Sequence, residues 1–166
     1  MTNQATRRAF LRGAFRQQDT MRPFGAMGDG FTDACTRCGD CLTACPEAIL
    51  IADRDGFPRL DPSLGACTFC AECIDACETD ALAEGRDWTW RAQADDTCLS
   101  VGGVFCRTCE DQCDAQAIRF RLQTGGRSVP AFDTNACTGC GGCASACPVG
   151  AIQFTKITQL KETATC

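Results

Sequence analysis

Sixteen of the seventeen cysteines in this 166-residue chain fall into four quartets. Three quartets have the form C-x2-C-x2-C-x3-C: Cys35, Cys38, Cys41 and Cys45; Cys67, Cys70, Cys73 and Cys77; and Cys137, Cys140, Cys143 and Cys147. A [4Fe-4S] cubane needs four thiolates around one small body. A loop with a cysteine every third residue curls so that three sulfurs and several backbone N–H groups converge on such a body. The intervening Thr36, Gly39, Thr68, Ala71, Thr138, Gly139, Gly141 and Gly142 are small enough for the backbone to approach it closely. The fourth cysteine is expected to begin a helical turn that leads away, so its sulfur would serve a neighbouring site. Pro46 and Pro148 follow two of the fourth cysteines and fix the chain direction there.

The remaining quartet is Cys98, Cys106, Cys109 and Cys113, with its first interval expanded to seven residues, Leu99 to Phe105. Gly102-Gly103 supplies a bend in it. Ala117-Ile118 after this quartet matches Ala48-Ile49, Ala81-Leu82 and Ala151-Ile152 after the others, which marks a fourth copy of the same unit. An enlarged loop must be held by its surroundings, so three to four [4Fe-4S] clusters are expected per chain. Zinc is the main rival, because C-x2-C pairs also build four-cysteine zinc sites. Those sites use two pairs set apart, however, and a third cysteine two residues further on is surplus for one tetrahedral ion. A disulfide framework fits poorly with an odd cysteine count and no cleavable export signal. Cys166 stands outside every repeat and reads as an exposed tail thiol.

These quartets must be held by little else. The chain has 16 Gly and no Tyr, and few large aliphatic runs, so ligation would replace a conventional core and the metal-free chain is expected to be largely unfolded. It has no His, which excludes His-based acid–base chemistry and His ligation. No stretch approaches the roughly twenty apolar residues of a membrane span. No nucleophile–base set or organic-cofactor motif is found, so an enzyme is not expected.

An internal repeat organises the chain. After the first quartet, Ile49 to Ala52, a turn at Asp53 to Gly56, and Phe57 to Leu60 read as a hairpin; after the third, Ile118 to Leu122, Thr124 to Arg127 and Ser128 to Phe132 do the same. The order quartet, hairpin, quartet, repeated, predicts an α+β fold of two tandem modules built of short hairpins and short helices. We expect an arginine-rich basic arm over 1–30 and modules over 31–88 and 89–166. Residues 83–97, with Trp88, Trp90, Ala92 and Ala94 at period two, read as a strand-like connector between the halves, the tryptophans being packing residues.

The arm differs in kind. Residues 1–22 hold five arginines against Asp19 alone, leaving eleven basic and twenty acidic residues in the remainder. A basic arm on an acidic body suggests docking to a protein rather than nucleic-acid binding. Thr6 to Arg12 resembles a twin-arginine export motif, but the apolar stretch that a signal peptide needs does not follow. The protein is therefore expected in the cytoplasm, with Arg7, Arg8 and Arg12 as partner-binding residues. Phe10, Leu11, Ala14 and Phe15 would lie on one side of a short helix.

The quartets have the spacing of the bacterial two-cluster ferredoxins, in which the fourth cysteine of each run ligates the other cluster. On that resemblance, with adjacent quartets paired, Cys35, Cys38 and Cys41 would share a cluster with Cys77, and Cys67, Cys70 and Cys73 with Cys45. Cys98, Cys106 and Cys109 would join Cys147, and Cys137, Cys140 and Cys143 would join Cys113. Local ligation within each quartet, and pairing of the outer quartets, remain open alternatives. The three regular quartets, the expanded one in third place, and Arg7-Arg8 together resemble the NapF family, ferredoxin-type accessory proteins of periplasmic nitrate reductase. Glu78, where that family usually has proline, is a departure. The resemblance implies a cytoplasmic iron–sulfur protein that meets the molybdenum-containing nitrate reductase catalytic subunit as a precursor, before export, and assists its maturation, with electron transfer to redox partner proteins as its chemistry. The alternative is a general polyferredoxin or an electron-transfer subunit of a membrane-associated redox complex.

Overall fold

The computed structural model describes residues 20–157; Arg7, Arg8, Arg12 and Cys166 lie outside them. Five helical turns of four or five residues carry or precede the cysteines: α1 Phe31–Ala34, α2 Asp40–Ala44, α3 Glu72–Asp75, α4 Thr108–Asp111 and α5 Gly142–Ser145. Six short strands, β1 Leu50–Ala52, β2 Pro58–Leu60, β3 Trp90–Ala94, β4 Ile118–Leu122, β5 Ser128–Phe132 and β6 Ile152–Lys156, form three antiparallel pairs.

Both expected hairpins form, with Leu50 opposite Leu60 in β1–β2 and Ile118 opposite Phe132 in β4–β5. Asp53 sets the first turn: its Oδ1 accepts the N–H groups of Asp55 and Phe57 at 3.0 and 2.9 Å, while Gly56 takes the left-handed φ of 82° that an L side chain resists. Gly125 and Gly126 do the corresponding work in the second turn. Pro130 is tolerated in β5 because a two-stranded ribbon leaves an outer edge without a partner to donate to.

Two sequence expectations change. The segment around Trp90 is no mere connector: β3 pairs with β6, Trp90 opposite Lys156 and Ala94 opposite Ile152, so the strand before the third quartet closes on the strand after the last. The first half does this in miniature through a bridge between Ala26 and Leu82. Residues 20–30, read above as arm, accordingly pack with the first half. Met21 is buried and its carbonyl accepts the Leu60 N–H at 2.7 Å. Arg22 donates to Asp53 at 2.7 Å and to the Pro58 carbonyl at 3.0 Å, with its guanidinium over the rings of Phe31 and Phe57.

Two apolar clusters result. The first is built on Phe31, Ile49, Leu50, Leu60, Ile74, Leu82 and Trp90. The second is smaller, and two of its five buried members are Cys109 and Cys143 beside Ala92, Ile118 and Ile152, so the thiols are themselves part of the core. Phe154 packs against both clusters.

Candidate metal centres

No disulfide joins any of the sixteen cysteines of the quartets. The third cysteine of each quartet, Cys41, Cys73, Cys109 or Cys143, lies on a helical turn. The fourth follows the turn instead of beginning it, which corrects the expectation above. Cys45, for example, takes an extended conformation as the C-cap of α2. The turn thus points the third thiol inward and delivers the fourth to the far side.

Three four-cysteine groupings follow, with part of a fourth. Cys35, Cys38 and Cys41 line one cavity with Cys77. Cys67, Cys70 and Cys73 line a second with Cys45. Cys137, Cys140 and Cys143 line a third with Cys113. Cys98 and Cys106 stand beside Cys109, and Cys147 packs in the same apolar cluster as Cys109. Cys77, Cys45 and Cys113 thus each line a cavity with the other quartet of their module. Repetition is close: the Ala117 N–H donates to Cys113 Sγ and the Ala151 N–H to Cys147 Sγ, each at 3.3 Å.

Burial, reinforced by the neighbouring thiols, pushes Cys41 and Cys109 up to about 11 and Cys73 and Cys143 up to about 12. Four such thiols crowded together repel one another as thiolates unless a cationic body sits among them. Cys77 goes the other way. Burial acts to raise it, but hydrogen bonding with Thr79, the Leu82 backbone and the charge of Arg86 outweigh that and lower it. This local device accompanies Glu78. After Cys45, Cys113 and Cys147 the third residue on, Ala48, Gln116 or Gly150, is left-handed, whereas after Cys77 that turn is replaced by the Thr79 contact.

The loops themselves fit a cluster. In each regular quartet two positions have positive φ: Arg37 and Gly39, Phe69 and Ala71, Gly139 and Gly141, from 56° to 101°. Three of these are not glycine, and holding each of them costs about 1–3 kcal/mol that only an over-determined, functional site sustains. Left-handed residues alternating with right-handed ones form the backbone nests that aim N–H groups at anionic iron–sulfur centres. The expanded quartet has no such pair, since Arg107 takes φ −133° where the others are left-handed. Among the described residues no three Cys, Asp or Glu side chains converge on a point suited to a single metal ion. A zinc ion would require sulfurs at about 2.3 Å from one centre. The donor set and the nests suit a larger, thiolate-bound body.

Contacts not anticipated from the sequence join the two modules. The Cys67 N–H donates to the Cys140 carbonyl at 2.7 Å, and burial raises the pKa of the Cys67 thiol. Trp88 packs edge-on to Phe69 and Phe24 and donates its indole N–H to the Gly139 carbonyl at 3.3 Å. Sequence gave a partial signal here, since the glycines around Cys140 are what permit this approach.

Comparison with known proteins finds iron–sulfur relatives along the chain. Family models described as 4Fe-4S dicluster domains match residues 34–82 and 104–151. The "Ferredoxin-type protein NapF" of Haemophilus influenzae is 40% identical, over 92% of this chain and 95% of its own length. That of Escherichia coli K12 is 35% identical over 89% and 93%. The "Ferredoxin-type protein NapG" of H. influenzae is 31% identical over 80% of this chain and 56% of its own. Among the described residues no helix is long and apolar enough to cross a membrane.

Proposed function

The chain belongs to the NapF family of ferredoxin-type proteins, and on that premise we propose that it is a cytoplasmic accessory protein that engages the nitrate reductase catalytic subunit precursor before export and assists its maturation by electron transfer. It carries several [4Fe-4S] clusters, up to four. Bound to these thiolates, such a cluster supplies one-electron redox chemistry. The holding groups are Cys35, Cys38, Cys41 and Cys77; Cys67, Cys70, Cys73 and Cys45; Cys137, Cys140, Cys143 and Cys113; and Cys98, Cys106, Cys109 and Cys147. Cys41 and Cys143 are buried and Cys73 half-buried, whereas Cys38 and Cys70 are exposed, so the first two sites meet the surface at their second cysteine. Arg7, Arg8 and Arg12 supply a cationic docking element for the partner.

One observation supports electron transfer above all: the bond from Cys67 to Cys140 places the second site against the fourth, across the module boundary. The order along the molecule is then first quartet, second, fourth, third. A static scaffold has no need of such continuity, whereas a carrier needs neighbouring sites in contact.

Anaerobic purification with the tagged catalytic subunit precursor tests the reading. We expect about sixteen irons with matching sulfide per chain, four for each site. Co-purification should fall when residues 1–19, which precede the packed Met21 and Arg22, are deleted, with iron content unchanged. Stoichiometric zinc without sulfide, undiminished binding after the deletion, or wild-type protein in the periplasm would each refute it.

A further inference from the structure

The two modules differ most at one face of the second. The expanded segment Leu99 to Phe105 is bonded to the β4–β5 hairpin: buried Ser100 donates its hydroxyl to the Ser128 carbonyl. Gly103 lies against Arg127, where an added Cβ would stand 3.8 Å from Cδ. Loop and hairpin thus form one surface. On it Phe105 is 87% and Leu122 85% exposed, with Val104 and Val101 also exposed. Single exposed apolar residues need no explanation, but several on one continuous surface mark an interaction site.

The charge of this surface is opposite to that of the chain. Residues 116–132 hold Arg119, Arg121 and Arg127 and no acidic residue, in a protein with 21 acidic and 16 basic residues. The equivalent span of the first module, residues 47–60, holds Glu47, Asp53 and Asp55 against Arg54 and Arg59. Counting from the matched Ala48-Ile49 and Ala117-Ile118, the exposed Leu122 stands where the first module has Asp53, which is paired with Arg22. The first module has only Thr36-Arg37 between its first two cysteines, so polar residues stand there where the second has Val104 and Phe105. Both differences, an apolar loop and a basic rim, fall together and adjoin Cys106 and Cys98.

We propose that this loop and hairpin are the docking face for an acidic redox protein, one whose contact surface is an acidic rim around an apolar spot, seated over the site formed with Cys98, Cys106 and Cys109. The proposal rests on the reading that these cysteines hold a cluster and deepens it by naming the kind of partner at this end of the array. Each productive encounter moves one electron, the donor losing one and the acceptor gaining one. Phe105 and Leu122 supply contact area that excludes water, and Arg119, Arg121 and Arg127 steer the acidic partner in.

The test uses the full chain, loaded and reduced under anaerobic conditions, and two protein oxidants of opposite charge: an acidic flavodoxin and the basic cytochrome c. Reoxidation is followed by stopped flow for wild type, Phe105→Ser, Leu122→Ser and Arg127→Glu. Leu64→Ser, an exposed apolar residue of the first module, serves as control. The flavodoxin rate should fall with added salt and drop about tenfold in Arg127→Glu, as expected for loss of electrostatic steering. It should also drop severalfold in Phe105→Ser and Leu122→Ser. Cytochrome c should be reduced at undiminished rates by all variants, and Leu64→Ser should match wild type with both oxidants. Flavodoxin rates that ignore all three substitutions, or equal losses with both oxidants at unchanged iron content, would overturn the proposal. Absence of iron and sulfide in the wild type would instead defeat the cluster reading, and this inference with it.

Discussion

Replacing Gly139 by alanine should loosen the fourth-quartet loop from Trp88 and Trp90, and its cost can be worked from the structure. Gly139 has φ +73°, and a Cβ there would stand 2.3 Å from the Trp90 carbonyl oxygen and 2.9 Å from Trp88 Nε1. The carbonyl belongs to β3, which is pinned by its pairing with β6, so it cannot turn aside as a side-chain tip would. Gly85 has the same φ of +73° with nothing within 4 Å of its built Cβ, and Gly85→Ala therefore carries the backbone strain alone. That strain is about 1–2 kcal/mol for an L residue in the left-handed region. Gly139→Ala adds about 1–3 kcal/mol of overpacking and about 1 kcal/mol for the Trp88 hydrogen bond it displaces. The difference between the two variants should be about 2–4 kcal/mol, or about 30- to 1000-fold at 1.4 kcal/mol per decade. Iron–sulfur proteins unfold irreversibly, so the assay is the rate at which the visible absorbance bleaches in guanidinium without oxygen. Gly139→Ala should bleach at least about tenfold faster than Gly85→Ala, taking part of the contact as lost in the rate-limiting step. Equal rates would refute the claim that the fourth-quartet loop is locked against Trp88 and Trp90.

Other perturbations address single sites. Cys45→Ser should remove the paramagnetic signal of the site holding Cys67, Cys70 and Cys73 while that of Cys35, Cys38 and Cys41 persists; loss confined to the mutated quartet's own site would contradict the crossed arrangement. Thr79→Val withdraws a hydrogen-bonding partner from Cys77 Sγ, so the potential of the first site should move negative in a titration followed by paramagnetic resonance. No shift, or a shift at another site, would contradict it. For Asp53, burial acts to raise the carboxyl, but Arg22 and the N–H groups of Phe57 and Asp55 outweigh it and hold it below the ordinary 3.8. A depressed carboxyl contributes stability that is complete above its unfolded value and is lost as pH falls through the folded one. The difference in bleaching rate between wild type and Asp53→Asn should therefore be flat from about pH 6 to pH 8 and narrow only below about pH 4. A slope across neutrality would disprove this account.

The parts of the fold written in local patterns were legible in the sequence. The hairpin turns at Asp53 to Gly56 and Thr124 to Arg127 follow from residues that tolerate or cap tight turns, and the strand limits Ile118 to Leu122 and Ser128 to Phe132 agree with the alternation. The β3–β6 pair was not legible, because its strands are separated by the whole second module and Trp90 to Ala94 carries no mark of its distant partner. Arg22 was read with the arm on the sign of its charge, but its partner Asp53 lies 31 residues away. The left-handed conformations of Arg37, Phe69 and Ala71 also escaped the sequence. Their side chains give no hint of positive φ, and the constraint comes from the convergence of the cysteines around them.

The expanded quartet shows why one of four copies could diverge. In the order first, second, fourth, third, the second and fourth sites meet at the Cys67–Cys140 bond, so any enlargement of their loops would break contact between the modules. Gly141 shows how little room there is: a Cβ would stand 3.1 Å from the Gly65 carbonyl and from Pro62. The third quartet lies at an end of that order and is free of this constraint. It has lost the left-handed pair that the regular loops keep, and gained exposed Val104 and Phe105 in the same seven-residue interval. Without the left-handed pair, its thiolates depend more on burial of Cys109 and on whatever covers the loop. This site should accordingly be the first to lose iron in air, and a docked partner that shields Phe105 should slow that loss while leaving the other three sites unchanged.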